Sequence, residues 1–506
     1  MKSIINNIKV VIVAVAVALA ATSCLEKYPG SAIQTEKSMQ TFDDALQINT
    51  GIYALLKSSS LYTGYLTYLP DIQTDLVYAV DGYSNQMGSF WLWQIRSTTS
   101  ESESVYAGLY NVISNCNFFL ENVDTVKANT IDDDKLSELN VLTGEIYTVR
   151  ALCYSELIKL YCEAYDPATA KQQKGVVLRK HYSQPEEAKR ASLYESYQFV
   201  LQDLATAEEI LDNENDIYGN IYATRAKAEA LHARVALYMQ DWETAVDYST
   251  LLIDSKSFAL SSVNASTDIQ YFPYMWRTDD STEIIWRIYL TLESYGGMLG
   301  SPFLGFNTDR IYYYPDYVPA QWVLNLYDGS DLRYDTYFFT LTTGHAHRLT
   351  WPLLVKYQGN VSFMNYNLYE VSMPKPFRLA EQYLIRAEAY CRQGQYSKAS
   401  ADLTKLRGTR FESGKGAMTV NADNWLQNIA DERVRELYME GHRLQDLKRW
   451  GSDYNDGKGF ARTPQNNSLE EGSSLKKSID DHMFVWPIPR HEVEAPGSQV
   501  EQNEGY

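Results

Sequence analysis

The stretch AEAYCRQGQYSKA, residues 387–399, has the spacing of a tetratricopeptide helix–turn–helix. Its small residues Ala387 and Ala399 fall where two helices would cross closely, and Tyr396 follows the turn, where an aromatic ring can fill the gap. The stretch ARVALYMQDWETA, residues 233–245, repeats this spacing 154 residues upstream. Two matching blocks predict a mostly α-helical protein with a tetratricopeptide-type repeat scaffold.

Amphipathic stretches elsewhere also predict helices packed on helices, because apolar residues recur in them at three- and four-residue spacing. These stretches are Thr41–Lys57, Val105–Asn122, Lys135–Tyr165 and Leu193–Leu211. Between the repeat blocks, residues 257–376 are rich in Tyr, Trp, Gly, Pro, Thr and Asn and show no sustained helical period. We expect loops and short strands there, with one short helix around Pro319–Tyr327.

The predicted organisation therefore has three parts after the N-terminus. Residues 24–256 form an N-terminal helical region, residues 257–376 a large irregular insertion of loops and short strands, and residues 377–506 a C-terminal repeat unit with a motif helix and a tail. Because binding residues tend to lie on loops that a rigid scaffold holds in place, we expect the ligand face in the insertion.

The first 23 residues have the parts of a bacterial signal peptide. Lys2 and Lys9 make a basic beginning, residues 10–21 form an unbroken apolar run, and small residues precede Cys24. That run is too short to cross about 30 Å of hydrocarbon as a helix, but it fits a secretion signal. We expect cleavage after residue 23 and a lipid anchor on Cys24. Ala21 stands where such sites usually carry leucine, and the alternative is an ordinary secretory signal with a chance cysteine.

Composition restricts the partners and the redox chemistry. The formal charge of the 506-residue chain is −19, and removal of Lys2 and Lys9 takes it to −21. This acidity argues against nucleic acid and against electrostatic attachment to anionic lipid. Four cysteines remain after Cys24, too few for a disulfide scaffold, and Cys153 and Cys162 would point to opposite sides of one helix. We expect buried free thiols.

Tyrosine is unusually frequent, with 40 Tyr against 16 Phe and 10 Trp. A buried Tyr hydroxyl needs a hydrogen-bond partner, so a core would normally prefer Phe. We therefore expect many of these rings at surfaces or clefts, where they could stack on sugar rings or hold peptide side chains.

Several segments resemble the SusD/RagB family of outer-membrane lipoproteins. They are residues 379–390 (LAEQYLIRAEAY), residues 432–451 (ERVRELYMEGHRLQDLKRWG), Trp486-Pro487-Ile488-Pro489 and the tail at 502–506. Phe42, Ala45, Leu46, Gly51, Ile52 and Tyr53 match the family's first helix. The tail departs from the pattern, since Glu504 replaces the usual proline and Ala-Pro-Gly at 495–497 stands where Asn-Pro is common.

The resemblance covers the whole mature chain. It implies a SusD-like helical fold and a lipoprotein on the outer face of the Bacteroidetes outer membrane. It also implies capture of oligosaccharides or peptides and their delivery to a SusC-like TonB-dependent transporter. In the arginine-rich segment we predict one helix, in which Asp431 and Glu432 lie close to Arg435. His442 is then a packed histidine with satisfied hydrogen bonds, not a catalyst.

No motif for catalysis or for a cofactor is found, since nucleophile-elbow, Walker and HExxH patterns are absent. His345 and His347 could face a metal from one strand, but no third ligand is identifiable, so a surface loop is favoured. Residues 212–216 offer the oxygens of Asp212, Glu214 and Asp216 without the glycine and glutamate of a calcium loop. The glycine-rich residues 296–300 predict a flexible loop. We expect no catalytic residue, metal or cofactor.

The candidate ligand site rests on two aromatic clusters. Trp91 and Trp93 would face the same side if residues 90–94 were extended, and the resemblance implies that a tryptophan-bearing segment near here contributes to the sugar-binding face. The second cluster is the tyrosine run at 312–314. Both could instead be packing aromatics or an interface with the transporter. The predicted ligand-binding residues are Trp91, Trp93, Asp71, Asn85, Tyr295, Arg310, Tyr312 and Tyr314.

The leading hypothesis is an oligosaccharide-binding lipoprotein that works with a transporter. A peptide-binding member of the same family is the first alternative, since an acidic surface would suit basic peptides. A surface glycoside hydrolase or esterase is a second, because 64 acidic residues offer many carboxylate pairs whose distances a sequence does not give. A repeat protein that binds only other proteins is a third.

Overall fold

A computed structural model of the chain describes residues 39–182, 188–213, 216–345, 348–466 and 468–506. The expected signal peptide at 1–23, the lipid attachment at Cys24 and the candidate metal ligands Glu214 and His347 lie outside these described residues. Within them, no helix is both long enough and apolar enough to cross a membrane.

Eight helices of the described chain precede the insertion, and two of them begin with a capping box. Thr41 and Asp44 form a capping box at the first helix, and Ser192 and Glu195 form another at the sixth. The helices are α1 (Phe42–Leu56), α2 (Tyr65–Ile72), α3 (Gly88–Trp91), α4 (Ser100–Asn129), α5 (Asp133–Tyr161), α6 (Leu193–Ile210), α7 (Arg225–Tyr238) and α8 (Trp242–Asp254). All four predicted amphipathic stretches are therefore helical.

The two repeat blocks form the helix pairs α7–α8 and α13–α14, where α13 is Leu379–Arg392 and α14 is Tyr396–Gly408. Gln240 and Gly394 occupy equivalent turn positions, and both have a positive φ, 61° and 72°. Helix α8 packs directly on α13, so the two repeats are neighbours in space although the insertion separates them in sequence. The predicted tetratricopeptide-type scaffold is confirmed.

Short helices and strands make up the described part of the insertion. The helices are α9 (Phe272–Thr278), α10 (Gln321–Leu324), α11 (Arg333–Tyr337) and α12 (Val361–Met364), with 3-10 turns at Asp268–Gln270 and Val355–Tyr357. Helix α10 is the one that the sequence predicted. The others consist of one or two turns, which are too short to produce a helical period in the sequence.

Twelve short strands occur in the described residues, and they pair two by two. They are β1 (Val77–Ala79), β2 (Lys174–Val177), β3 (Arg190–Ser192), β4 (Ile284–Trp286), β5 (Phe306–Asn307), β6 (Tyr312–Tyr313), β7 (Tyr317–Pro319), β8 (Phe338–Thr342), β9 (Thr350–Leu354), β10 (Phe377–Arg378), β11 (Phe460–Ala461) and β12 (Lys476–Lys477). The antiparallel pairs are β1–β7, β2–β3, β4–β10, β5–β6, β8–β9 and β11–β12.

The pair β4–β10 closes the base of the insertion, because Trp286 lies opposite Phe377. The predicted borders fall close by, after the end of α8 at Asp254 and at the beginning of β10. That the three segments are separate domains stays a prediction.

The arginine-rich segment forms two helices, α15 (Trp425–Leu437) and α16 (Arg443–Trp450), and a short α17 (Arg490–Glu494) follows in the tail. The prediction of one continuous helix was wrong, because Met439 and Gly441 between α15 and α16 have φ of 59° and 81°. Asp71 holds this break in place by accepting bonds from the N–H groups of Gly441 at 2.9 Å and Arg443 at 2.8 Å.

The charged face of α15 is buried in what we call the ionic core: Glu283, Arg333, Arg378, Arg410, Glu432 and Glu436. Glu436 accepts hydrogen bonds from Arg333 at 3.0 Å, Arg378 at 2.9 Å and Arg410 at 3.0 Å. All six residues are at most 1% exposed. The expected Glu432–Arg435 pair forms at 2.8 Å.

Buried polar groups confirm some expectations and correct one. Cys116, Cys153, Cys162 and Cys391 are buried and free, as predicted. His442 is packed, but its Nδ1 has no hydrogen-bond partner, so the expectation of a satisfied histidine was wrong. Burial lowers the pKa of His442 well below its usual value, which keeps the ring neutral.

Tyrosines are found both at the surface and in the core. Tyr271, Tyr289, Tyr312 and Tyr366 are exposed, which agrees with the expectation. Others are buried with a bonded hydroxyl: Tyr161 donates to the carbonyl of Ser102 at 2.5 Å and Tyr438 to that of Leu76 at 3.1 Å. The high tyrosine content therefore serves the core as well as the surface.

Candidate functional site

Two groups of loop residues lie at the two ends of strand β7. It pairs with β1 so that Val77 lies opposite Pro319 and Ala79 opposite Tyr317. Because the two strands are antiparallel, the loop after β1, which begins at Val80, lies next to the segment before β7. Asp75, which precedes β1, lies next to the residues after β7. Strand β9 packs beside β7 and adds its own side chains.

The first group, which we call the tyrosine cluster, consists of Tyr83, Asn85, Tyr314, Asp316 and His345. Asp316 accepts bonds from the backbone N–H of Ser84 at 2.6 Å and from its hydroxyl at 2.7 Å, which ties the loop at 81–87 to the entrance of β7. Tyr83 donates to Asn85 Oδ1 at 2.7 Å, and the Tyr314 and His345 rings are 5.7 Å apart. Aromatic rings and amide groups thus lie side by side.

The second group forms an open groove of 450 Å³ beyond the other end of β7. Trp322 and Trp351 form part of its wall, and each indole N–H is hydrogen-bonded to a backbone carbonyl. Trp322 donates to the carbonyl of Asp75 at 2.7 Å, and Trp351 to that of Pro319 at 2.9 Å. The rings are therefore fixed before any ligand arrives. This tryptophan groove is lined by Asp75, Tyr78, Gln321, Trp322, Trp351, Ala461, Thr463, Pro464, Gln465 and Asn466.

Polar groups in the groove are also held in place. Gln465 Oε1 accepts from the backbone N–H of Gln321 at 3.1 Å, and Arg443 bonds Asp75 at 3.1 and 3.2 Å. The guanidinium of Arg443 lies 5.5 Å from the Trp322 ring. Burial disfavours its charge, but Asp75 outweighs burial and raises the pKa of Arg443, so the cation beside the ring stays charged.

Three of the predicted ligand residues lie inside the protein. Trp91 is fully buried and donates to the carbonyl of Val77 at 3.1 Å, and Trp93 is buried beside Phe460 and Phe484. They do not lie on an extended segment, since α3 ends at Trp91 and Trp93 has a φ of 55°. Asp71 is buried beneath the break between α15 and α16. We therefore leave all three out of the proposed ligand face.

The other predicted residues lie on loops or on a short hairpin. Asn85 and Tyr314 belong to the tyrosine cluster, and Arg310 and Tyr312 lie on the neighbouring β5–β6 hairpin, where Tyr312 is 43% exposed. Tyr295 lies elsewhere: its neighbour Gly296 packs so closely on the turn after α1 that a Cβ would be 1.9 Å from the carbonyl oxygen of Lys57. The glycine-rich stretch is thus docked on the scaffold.

Little in the sequence indicates the tryptophan groove. The sequence predicts a short helix around residues 319–327, but Trp322 and Trp351 are single aromatics, distant in sequence, that only the packing of β9 beside β7 brings together. Among the described residues, no group of three or more His, Cys, Asp and Glu side chains could hold a metal. His345 instead bonds the carbonyl of Pro315 at 2.9 Å.

These features define a class of protein in which a helical-repeat scaffold carries aromatic and amide side chains on surface loops. Two family models match the chain: that of the SusD family over residues 340–506, and that described as starch-binding associating with outer membrane over residues 25–237. The chain belongs to the SusD/RagB family, as the resemblance predicted.

Two curated relatives match at different ranges. The starch-binding protein SusD of Bacteroides thetaiotaomicron is 35% identical over 130 residues, which are 26% of this chain and 21% of that protein. The chain thus matches about a fifth of that relative's length. The SusD-like protein P25 of Formosa agariphila is 22% identical over 508 residues and is covered to 90%, against 88% of this chain.

Solved structures show the fold. A SusD superfamily protein from Bacteroides thetaiotaomicron superposes with a TM-score of 0.77 at 22% identity, over 92% of this chain and 99% of that one. A SusD-like carbohydrate binding protein from Bacteroides vulgatus gives a TM-score of 0.68 at 20% identity, over 87% and 90%. The predicted SusD-like fold is confirmed.

Proposed function

We propose that the chain is an outer-membrane lipoprotein that captures oligosaccharides and delivers them to a SusC-like TonB-dependent transporter. The observation that carries the proposal is the tryptophan groove on a chain of this family. Lipid on Cys24 would tether the protein outside the cytoplasm. No cofactor is needed for this function, and we propose binding without turnover.

The chemistry of the groove suits a sugar. A sugar ring has an apolar face, which stacks on an aromatic ring, and a rim of hydroxyl groups, which needs placed donors and acceptors. Trp322 and Trp351 supply the rings, and the side chains of Gln321, Gln465 and Asn466 supply amides. Because the rings are already immobilised, binding loses little side-chain entropy. The tyrosine cluster at the other end of β7 would extend this face for a longer chain.

Calorimetry with an oligosaccharide panel on the chain without residues 1–24 tests the proposal. We expect Trp322→Ala and Trp351→Ala each to weaken binding of the best glycan about tenfold or more, because each removes a stacking platform. Tyr182→Ala, which removes an exposed aromatic from the scaffold, is the matched control. Absence of binding across the panel, or equal affinity in all three variants, would refute the glycan ligand at this groove.

The membrane anchor and the transporter are tested in cells. We expect metabolic labelling with a fatty acid to mark the wild-type chain and to be lost in Cys24→Ala. A large β-barrel protein should co-purify from detergent extracts of the wild type. A chain that remains labelled after the exchange, or that purifies alone, contradicts this part of the proposal.

Peptide capture is the second candidate, and the charge of −19 favours it for basic peptides. Calorimetry with a tryptic peptide mixture separates it from glycan capture. A hydrolase would release products from the bound glycan and lose that activity on exchange of one carboxylate, whereas we expect the recovered glycan to be unchanged.

A further inference from the structure

A second recess, of 630 Å³, shares no lining residue with the tryptophan groove. Its walls come from the residues after α5, from α16, from the segment at 479–485 and from the tail at 503–505, and we call it the tail recess. The small core of Trp93, Phe460 and Phe484 lies between the two, since Phe484 lines the recess and Ala461, next to Phe460, lines the groove.

A buried cation lines the tail recess. Lys448 is 7% exposed, and its ammonium donates to the carbonyls of Lys159 and Cys162 at 2.7 Å each. An ammonium has three N–H donors, so one remains for an acceptor placed in the recess. Burial lowers the pKa of Lys448 to about 7, since Cys162 and Glu163 offset burial only in part and the ammonium of Lys159 lowers the pKa further. An anionic group beside it would restore the charge.

The rest of the lining is apolar on one wall and acidic at the rim. Ile479 and Phe484 give an apolar wall, and the rim carries the exposed carboxylates of Glu163, Asp480 and Glu504. The wall formed by the tail is preformed, because the Tyr506 hydroxyl donates to the carbonyl of Val485 at 2.9 Å and its ring packs on His482.

We propose that the tail recess binds a small zwitterion of amino-acid or short-peptide type. The ligand carboxylate accepts from Lys448, an apolar side chain packs on Ile479 and Phe484, and the ligand ammonium faces the carboxylate rim. A simple anion meets repulsion at the rim, a simple cation meets repulsion from Lys448, and a neutral sugar uses neither charge. This site is independent of glycan capture at the groove.

The test uses three probes in calorimetry on the chain without residues 1–24. L-leucyl-L-leucine carries both charges, N-acetyl-L-leucine lacks the ammonium, and L-leucinamide lacks the carboxylate. We expect the dipeptide to bind and each single-charge probe to bind about tenfold more weakly or worse. No binding of the dipeptide, or equal binding of all three probes, overturns the proposal.

Variants locate the binding. The combined exchange Glu163→Gln, Asp480→Asn and Glu504→Gln should weaken dipeptide binding and strengthen N-acetyl-L-leucine binding, each by about tenfold, because it removes rim charge. Asp456→Asn, an exposed aspartate outside the recess, is the matched control. Lys448→Met should abolish dipeptide binding, and if it does not fold, the rim exchange decides alone. Trp322→Ala should leave dipeptide binding unchanged. If the combined rim exchange has the same probe affinities as the wild type, the assignment of the site to the tail recess is overturned.

Discussion

Among single residues, Glu436 is paired with three buried arginines. Its carboxylate is buried among Arg333, Arg378 and Arg410. We expect Glu436→Gln to lower the free energy of unfolding by about 3–5 kcal/mol, because removing one partner leaves buried guanidinium groups uncompensated. Urea unfolding measures this loss.

The matched control for that exchange is Glu494→Gln, which breaks an exposed pair with Arg490 on α17. It should cost about 0.5 kcal/mol or less, since exposed helical pairs contribute little. Equal losses in the two variants would mean that the ionic core does not depend on its charges.

Acid should unfold the protein through the same kind of group. Burial alone would raise the pKa of Glu432 and Glu388, but Arg333 beside the first and Arg449 beside the second outweigh burial and hold each pKa at about 2. A glutamate in the unfolded chain titrates near 4.5. The stability from these pairs is therefore fully present above pH 4.5 and is lost as the pH falls towards 2.

Thermal unfolding between pH 7 and pH 2 measures this dependence. We expect the slope of stability against pH to be steepest between pH 4.5 and 2, and Glu388→Gln to remove about one proton from the uptake on unfolding in that window. An identical slope in wild type and variant would contradict the assignment.

At the scale of elements, the break between α15 and α16 requires a residue without a side chain at position 441. Gly441 has a φ of 81°, and a Cβ there would lie 2.7 Å from the carbonyl oxygen of Leu66. We expect Gly441→Ala to destabilise the protein by about 1–3 kcal/mol in thermal unfolding, because both the strain and the contact fall on backbone atoms. Gly408→Ala, at the exposed end of α14 with open space around it, should be neutral or slightly stabilising.

The same break shows why the sequence predicts some elements and not others. The repeat turns at Gln240 and Gly394 were predictable, because small and aromatic residues recur at fixed spacing on local helices. The break at 438–442 was not, since it depends on Asp71, which lies some 370 positions away in sequence. The short helices and strands of the insertion are likewise set by pairing partners, not by a local period.

The residues of the candidate site also differ in whether the local sequence predicts their position. Tyr314 and Asn85 are predicted from local clustering of aromatic and polar residues, and both lie in the tyrosine cluster, although their contact with a ligand stays a prediction. Trp91 and Trp93 were chosen on the same signal, but their indole N–H groups find backbone carbonyls in the interior, a property that spacing does not reveal. Trp322 and Trp351 meet only because β9 lies beside β7.

For the whole molecule, the ionic core joins parts that are distant in sequence. Glu283 and Arg333 belong to the insertion, and Glu436 belongs to α15. We therefore expect one cooperative urea transition, in which tryptophan fluorescence and far-UV circular dichroism coincide. An early loss of fluorescence with the helices intact would show that the insertion unfolds by itself.

The pairing of β7 with β1 has a consequence for how such proteins diversify. The residues of the two strands are buried, whereas the loops at the two ends of the pair carry the rings and amides of the proposed ligand face. If these loops bind the ligand as proposed, a mutation in a loop could change what the protein binds without causing it to misfold, whereas a mutation in the buried strands would affect folding first. The residues that maintain the scaffold are thus different from the neighbouring loop residues that could change the specificity.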